Sequence, residues 1–164
     1  MNSYRIAALD ASLDTQSFRC GQAELDLYVQ RYARQDVRRN LTRVFAATLY
    51  GEPARLAGFY TLSAGSVACD ALPDALARKL PRYPVPIALL GRLAVSLDMQ
   101  GQGLGSILLA DACQRVFKAS SALAVAGLVV DAKDETAASF YTHFGFLALR
   151  GQTNRLLLPL KHFR

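Results

Sequence analysis

Six residues at positions 100–105, QGQGLG, stand between an apolar run at 87–95 and an amphipathic stretch that begins at Leu104. A strand that ends in a glycine-rich turn and opens a helix is suited to hold phosphate. Glycines let the backbone approach the anion, successive N–H groups point the same way, and the helix N-terminus adds partial positive charge. Two other phosphate loops do not fit. A P-loop carries Lys and then Ser or Thr after its second glycine, whereas Gly105 is followed by Ser106 and Ile107, with no lysine until Lys118. A dinucleotide fingerprint needs a third glycine and an acidic residue about twenty positions on. Here the third position is Ser106, and the window around position 125 is apolar. A purely structural turn is the other reading of the segment.

Few other side chains offer chemistry. Cys20, Cys69 and Cys113 stand in unrelated contexts, and with only His143 and His162 besides there is no metal-ligand spacing, so no metal is expected. The odd number of cysteines points to reduced thiols in a cytoplasmic protein. Cys113 falls on the apolar side of its helix, and neither it nor Cys69 has a histidine near it in sequence, which favours buried core over a covalent acyl-enzyme. Tyr141 is a candidate proton donor: a phenol of pKa about 10 is protonated at neutral pH. The pair Phe140-Tyr141 on a helix is equally a core feature, and His143, two residues on, falls on a different face.

The net charge of +6 favours anionic partners. Arg31, Arg34 and Arg38 fall within roughly 60° of one another on a helix of 3.6 residues per turn, opposite Leu25, Tyr28, Val29 and Tyr32. Arg39 and Arg43 extend that charge, and Arg78, Lys79 and Arg82 make a second cluster. A solvated face balanced by Glu24, Asp26 and Asp36 is the plain alternative to phosphate contact.

These groups need a scaffold. At 164 residues, 52% of them hydrophobic, the chain suits one domain, 1–164, with its own core. Its start lacks the basic-then-apolar layout of a signal peptide, and no apolar run approaches the ~20 residues that span a bilayer. The pattern predicts strands at 4–9, 43–50, 55–67, 87–95, 123–131, 146–150 and 155–160, with a turn at Gly51-Glu52-Pro53. It predicts helices at 22 to about 39, 73–80, 103 to about 119 and 134–143, the last closed by Gly145. Alternation through the second half makes this an α/β domain.

The order strand, QGQGLG, helix, apolar strand, helix and then SFYTHFGF resembles the GNAT superfamily of acetyl-coenzyme A-dependent N-acetyltransferases. Gln100, Gly103 and Gly105 match its phosphate loop, and Tyr141 followed by Gly145-Phe146 matches its later helix. A narrower resemblance covers nearly the whole chain. FRCGQAELDLYVQRYARQD, GRLAVSLDMQGQGLGSILLADA, VVDAKDETAASFYTHFGF and LLLPL are similar to segments of GNAT-type toxins from bacterial toxin–antitoxin modules. Members of that group acetylate the α-amine of the amino acid on charged tRNA and so halt translation. They are typically paired with a ribbon-helix-helix antitoxin.

The resemblance implies a single-domain GNAT fold of mixed α/β (α+β) type, with six or seven strands and about four helices. It implies that Leu93, Ala94 and Val95 line acetyl-CoA with backbone groups. The N–H groups of Gln102, Gly103, Leu104, Gly105 and Ser106, within the loop opened by Gln100 and Gly101, would hold the pyrophosphate. A Cβ at Gly103 or Gly105 would then intrude on the phosphate path. Tyr141 becomes the general acid, and Arg31, Arg34, Arg38, Arg39, Arg78 and Lys79 become the RNA contacts. A homodimer is plausible by the same resemblance. The alternatives are a GNAT enzyme for a small amine or protein N-terminus, and a non-catalytic acetyl-CoA-binding module.

Overall fold

The computed structural model describes residues 3–152 and 154–163. Among these, seven strands, β1 (Tyr4–Ala8), β2 (Arg43–Leu49), β3 (Gly58–Val67), β4 (Val85–Val95), β5 (Gly127–Asp131), β6 (Leu147–Ala148) and β7 (Arg155–Pro159), form one mixed sheet in the order β1-β2-β3-β4-β5-β7-β6. β4 and β5 are parallel, while β1–β2, β2–β3, β5–β7 and β6–β7 are antiparallel. Four helices accompany them. α1 is continuous through Ala23–Leu27, a π-helical turn Tyr28–Tyr32, and Ala33–Arg38; the others are α2 (Asp74–Ala77), α3 (Leu104–Ala119) and α4 (Glu135–His143). No helix among the described residues is long and apolar enough to cross a membrane.

The chain gathers into two compact units, one of Met1–Ser63 with Gly91–Ala112, the other of Ala64–Leu90 with Cys113–Arg164. In the first, Phe18, Tyr28, Val29, Ala33, Phe59 and Ala94 belong to one buried cluster. Phe59 meets Phe18 edge-on at 5.5 Å and stacks on Tyr28 at 6.5 Å. The π turn decides which residues of α1 join this core. One extra residue per turn delays the inward position, so Ala33 is fully buried whereas Tyr32 is 47% exposed. Helical periodicity alone placed Tyr32 inside.

In the second unit β5 reads Leu128-Val129-Val130, all fully buried, as expected of a parallel strand covered on both faces. Val67, Leu72, Ile87, Val129, Leu149 and Leu157 pack together there. Three strands are shorter by more than one residue than the apolar pattern suggested. β5 begins at Gly127 rather than 123, because Ala122 and Leu123 donate backbone hydrogen bonds to Ala119 and continue the turn that ends α3. β3 begins at Gly58 and β6 keeps only Leu147–Ala148.

Candidate active site

The phosphate loop is assembled within the first unit. After β4 a short 3₁₀ turn, Leu97–Met99, leads into residues 100–103, and α3 starts at Leu104. The Gln100 side chain faces inward rather than toward a ligand. Its Nε2 donates to Val95 O at 2.9 Å and to Cys20 O at 2.8 Å, tying the loop to the end of β4 and to the segment before α1. Leu97 N donates to Arg19 O at 2.8 Å and reinforces the same junction. Leu104, Leu108 and Leu109 are buried, so the helix is anchored by its apolar side at its first turn.

Gly101 and Gly103 have φ of +78° and +87°, and a Cβ built on either meets nothing within 4 Å. The glycines are therefore required for backbone conformation, and the space in front of them is open. The first N–H groups of a helix have no intrahelical acceptor, and α3 presents that end beside the open space. Pyrophosphate fits such a cradle. Gly105 and Ser106 lie in the first turn of α3.

Leu93, Ala94 and Val95 close β4. Ala94 is 4% exposed and belongs to the core cluster, while Leu93 and Val95 are half-buried. The parallel β4–β5 ladder covers Ala88↔Leu128 to Leu90↔Val130, and residues 91–95 run on beyond it. Their backbone groups on that edge are suited to pair with the amides of a pantetheine arm.

α4 and Tyr141 belong to the second unit. The Asp134 side chain caps the helix by accepting from Ala137 N at 2.8 Å, and Tyr141 O accepts from Phe144 N and Phe146 N as the helix turns out at its end. Tyr141 is 7% exposed, with Phe140 and Phe146 edge-on at 5.2 and 5.4 Å. Burial pushes its phenol up to about 12, so it stays protonated throughout the neutral range. Burial also pushes the Cys113 thiol up to about 11, which removes the thiolate that a covalent acyl-enzyme would need. His143 is exposed. Among the described residues no group of three or more His, Cys, Asp or Glu is placed to hold a metal ion.

The arginines separate. Arg31, Arg38, Arg39, Arg78 and Lys79 are exposed. Arg34 is not part of that surface. Past the π turn its guanidinium faces inward, donating to Asp10 O and Leu13 O at 3.0 Å and to Thr15 Oγ1 at 3.2 Å. Arg34, expected among the RNA contacts, has its donors engaged on the β1–α1 connection.

One residue escaped sequence reasoning altogether. The Arg92 guanidinium lies 3.5 Å over the Tyr28 ring, and Tyr28 Oη donates to Asp36 at 3.0 Å. A charged side chain in the middle of an apolar strand was the available signal.

The chain is an acetyltransferase of the GNAT family: the profile described as an acetyltransferase (GNAT) domain matches residues 54–147, more than half its length. It is an acetyl-coenzyme A-dependent acyltransferase. A tRNA-acetylating toxin of Mycobacterium tuberculosis is 37% identical over 151 residues, covering 92% of this chain and 89% of that protein. Among solved structures, a tyrosine-to-phenylalanine mutant of KacT superposes with a TM-score of 0.92 at 32% identity, covering 98% of this chain and 96% of that one. AtaT complexed with acetyl-methionyl-tRNAfMet superposes at 0.91 with 34% identity, covering 97% and 96%. An AtaT mutant bound to acetyl-CoA and the C-terminus of the antitoxin AtaR gives 0.82 at 31% identity, covering 98% and 96%.

Proposed function

We propose that this chain is a single-domain toxin that transfers acetyl from acetyl-coenzyme A to the α-amine of the amino acid on charged tRNA, and so blocks translation. The 37% identity with a tRNA-acetylating toxin over nearly the full length of both proteins carries this reading. AtaT, similarly related, binds an acetylated aminoacyl-tRNA. Charged tRNA places the reaction in the cytoplasm. A small antitoxin of the ribbon-helix-helix type is the protein partner in this reading, and the AtaT complex with the AtaR C-terminus supports it.

The chemistry suits the residues present. A free α-amine has a pKa of about 7.7–8.0, and the ester on the neighbouring carbonyl lowers it further, so no strong base is required. The neutral amine attacks the thioester carbonyl directly. The new N–C bond forms as the C–S bond breaks, and backbone N–H groups of residues 93–95 stabilise the developing oxyanion. The departing thiolate takes the Tyr141 proton, the amine nitrogen releases its own to water, and the phenolate regains a proton from solvent. A thiolate of ordinary basicity would be a weak acceptor for a phenol raised to about 12. A thiolate that emerges where water is excluded is made more basic by the same desolvation. Phosphate contacts from Arg31, Arg38, Arg39, Arg78 and Lys79 would position the RNA without reading its sequence.

The test is transfer from labelled acetyl-CoA to a pool of charged tRNA, with uncharged tRNA as control. Label retained on charged tRNA alone is expected. Label on small amines or protein N-termini, with none on tRNA, would overturn the reading.

A further inference from the structure

β4 leads into the phosphate loop at its C-terminal end. At its N-terminal end the connection from β3 folds around a cavity of about 630 Å³, within the range of small-ligand sites. Arg78, Leu80, Arg82, Tyr83, Pro84 and Arg150 are among its lining residues.

The charges in this lining are unevenly engaged. Arg150 is ion-paired with Asp74, and its backbone N–H donates to Ala71 O at 2.7 Å, so it forms a fixed wall with little net charge. Arg78 and Arg82 are exposed, and neither guanidinium has an ion-pair or hydrogen-bond partner among the described residues. Asp70 is the remaining carboxylate of the lining, and exposed Lys79 follows Arg78 in sequence.

Tyr83 stands next to Arg82 with 63% of its surface in solvent. A large ring left in water beside unengaged guanidinium groups is the combination that holds single-stranded nucleic acid: bases stack on the ring, and phosphates take the cations. The presentation is rigid. Pro81, Pro84 and Pro86 each fix a backbone φ around it. Ala126 N donates to Pro86 O at 2.8 Å, and Val85 is buried immediately after the pair. Little conformational freedom is left to lose on binding. An acidic peptide would satisfy the arginines but offer the ring no flat partner.

We propose that this cavity is a subsite for an unpaired nucleotide at the 3′ end of the acceptor RNA, its base stacked on Tyr83 and its phosphate held by Arg82 and Arg78. The identity of the RNA rests on the charged-tRNA reading above; the cavity's nucleotide chemistry does not.

The probe is a labelled four-nucleotide single strand ending in CCA, titrated by fluorescence anisotropy at several salt concentrations, with a blunt RNA duplex as comparison. Tyr83→Ala should weaken single-strand binding about tenfold, Tyr83→Phe should keep most of it, and Arg82→Gln should weaken it and flatten its salt dependence. In transfer assays Tyr83→Ala should raise KM for charged tRNA by a similar factor and leave KM for acetyl-CoA unchanged. Thermal melting checks that the exposed substitution leaves the fold intact. If the wild type acetylates charged tRNA while Tyr83→Ala changes neither oligonucleotide binding nor KM, the subsite is wrong and the function stands. If the wild type transfers nothing to charged tRNA, yet Tyr83→Ala abolishes single-strand binding, the function is wrong and the cavity is an RNA site.

Discussion

In the first unit, side-chain donors are turned onto the protein's own backbone. Gln100 binds the carbonyls of Val95 and Cys20, Arg34 those of Asp10 and Leu13, and Arg19 those of Gln16 and Phe18. Apart from Arg31, Arg38 and Arg39 exposed on α1, what is left for a ligand there is main chain: the glycine loop, the first turn of α3 and the end of β4. In the second unit the helix start is capped by Asp134, and what is left is side chain: the Tyr141 hydroxyl, the Tyr83 ring and two unengaged arginines. The first arrangement suits a constant ligand such as a pyrophosphate and pantetheine, which N–H groups can grip without specific side chains. In the proposed mechanism the second puts proton transfer and acceptor contact on groups that substitution can remove.

Mutation should therefore divide along that line. The largest effect is expected from Tyr141→Phe, which removes the donated proton and should lower kcat by about a hundredfold, within the range of general acid catalysis. Acetyl-CoA affinity, measured by calorimetry, should stay within about twofold. An unchanged kcat would take Tyr141 out of the reaction. Next comes Arg34→Met, which strips charge-assisted hydrogen bonds from two carbonyls and a hydroxyl and should cost about 2 kcal/mol. That lowers the melting midpoint by about 5 °C. Arg38→Met on the exposed side should cost less than about 0.5 kcal/mol. Equal losses would erase the contrast between engaged and free arginines.

A smaller effect follows from Gly103→Ala. An L-residue at φ +87° is strained by about 1–2 kcal/mol, which should raise KM for acetyl-CoA about tenfold with a lesser change in kcat. The subtlest expectation is an absence. Because burial raises the phenol to about 12, Tyr141 stays in its acid form below that value. At saturating tRNA, kcat should rise as the acceptor amine loses its proton and then stay level through about pH 10. A falling limb near pH 9 would point to a different acid.

The sequence exposed the main-chain framework of the loop well. Glycine spacing after an apolar run is a local signal, and it marked the loop, β4 and the start of α3 to within two residues. Side-chain availability was harder to read, because it depends on hydrogen bonds made far along the chain. Arg34 and Arg78 look alike in a charge count, yet one reaches back twenty or more residues to Asp10 and Leu13 while the guanidinium of the other has no partner among the described residues. Arg92 was hidden by its neighbours, an apolar strand in which periodicity sees only burial. The π turn was invisible for a related reason: a helix with one added residue keeps ordinary helix-forming composition, so nothing local announces the change of register.

That added residue makes α1 a helix with two settings. Replacing the π turn by an ordinary α-turn with no residue removed would rotate everything C-terminal to it by about 100° about the helix axis. Ala33 would leave the core, Arg34 would release the carbonyls of Asp10 and Leu13, and its charge would join Arg31 and Arg38 at the surface. Such a change of register would alter the protein's outward electrostatic face without altering one residue of its sequence.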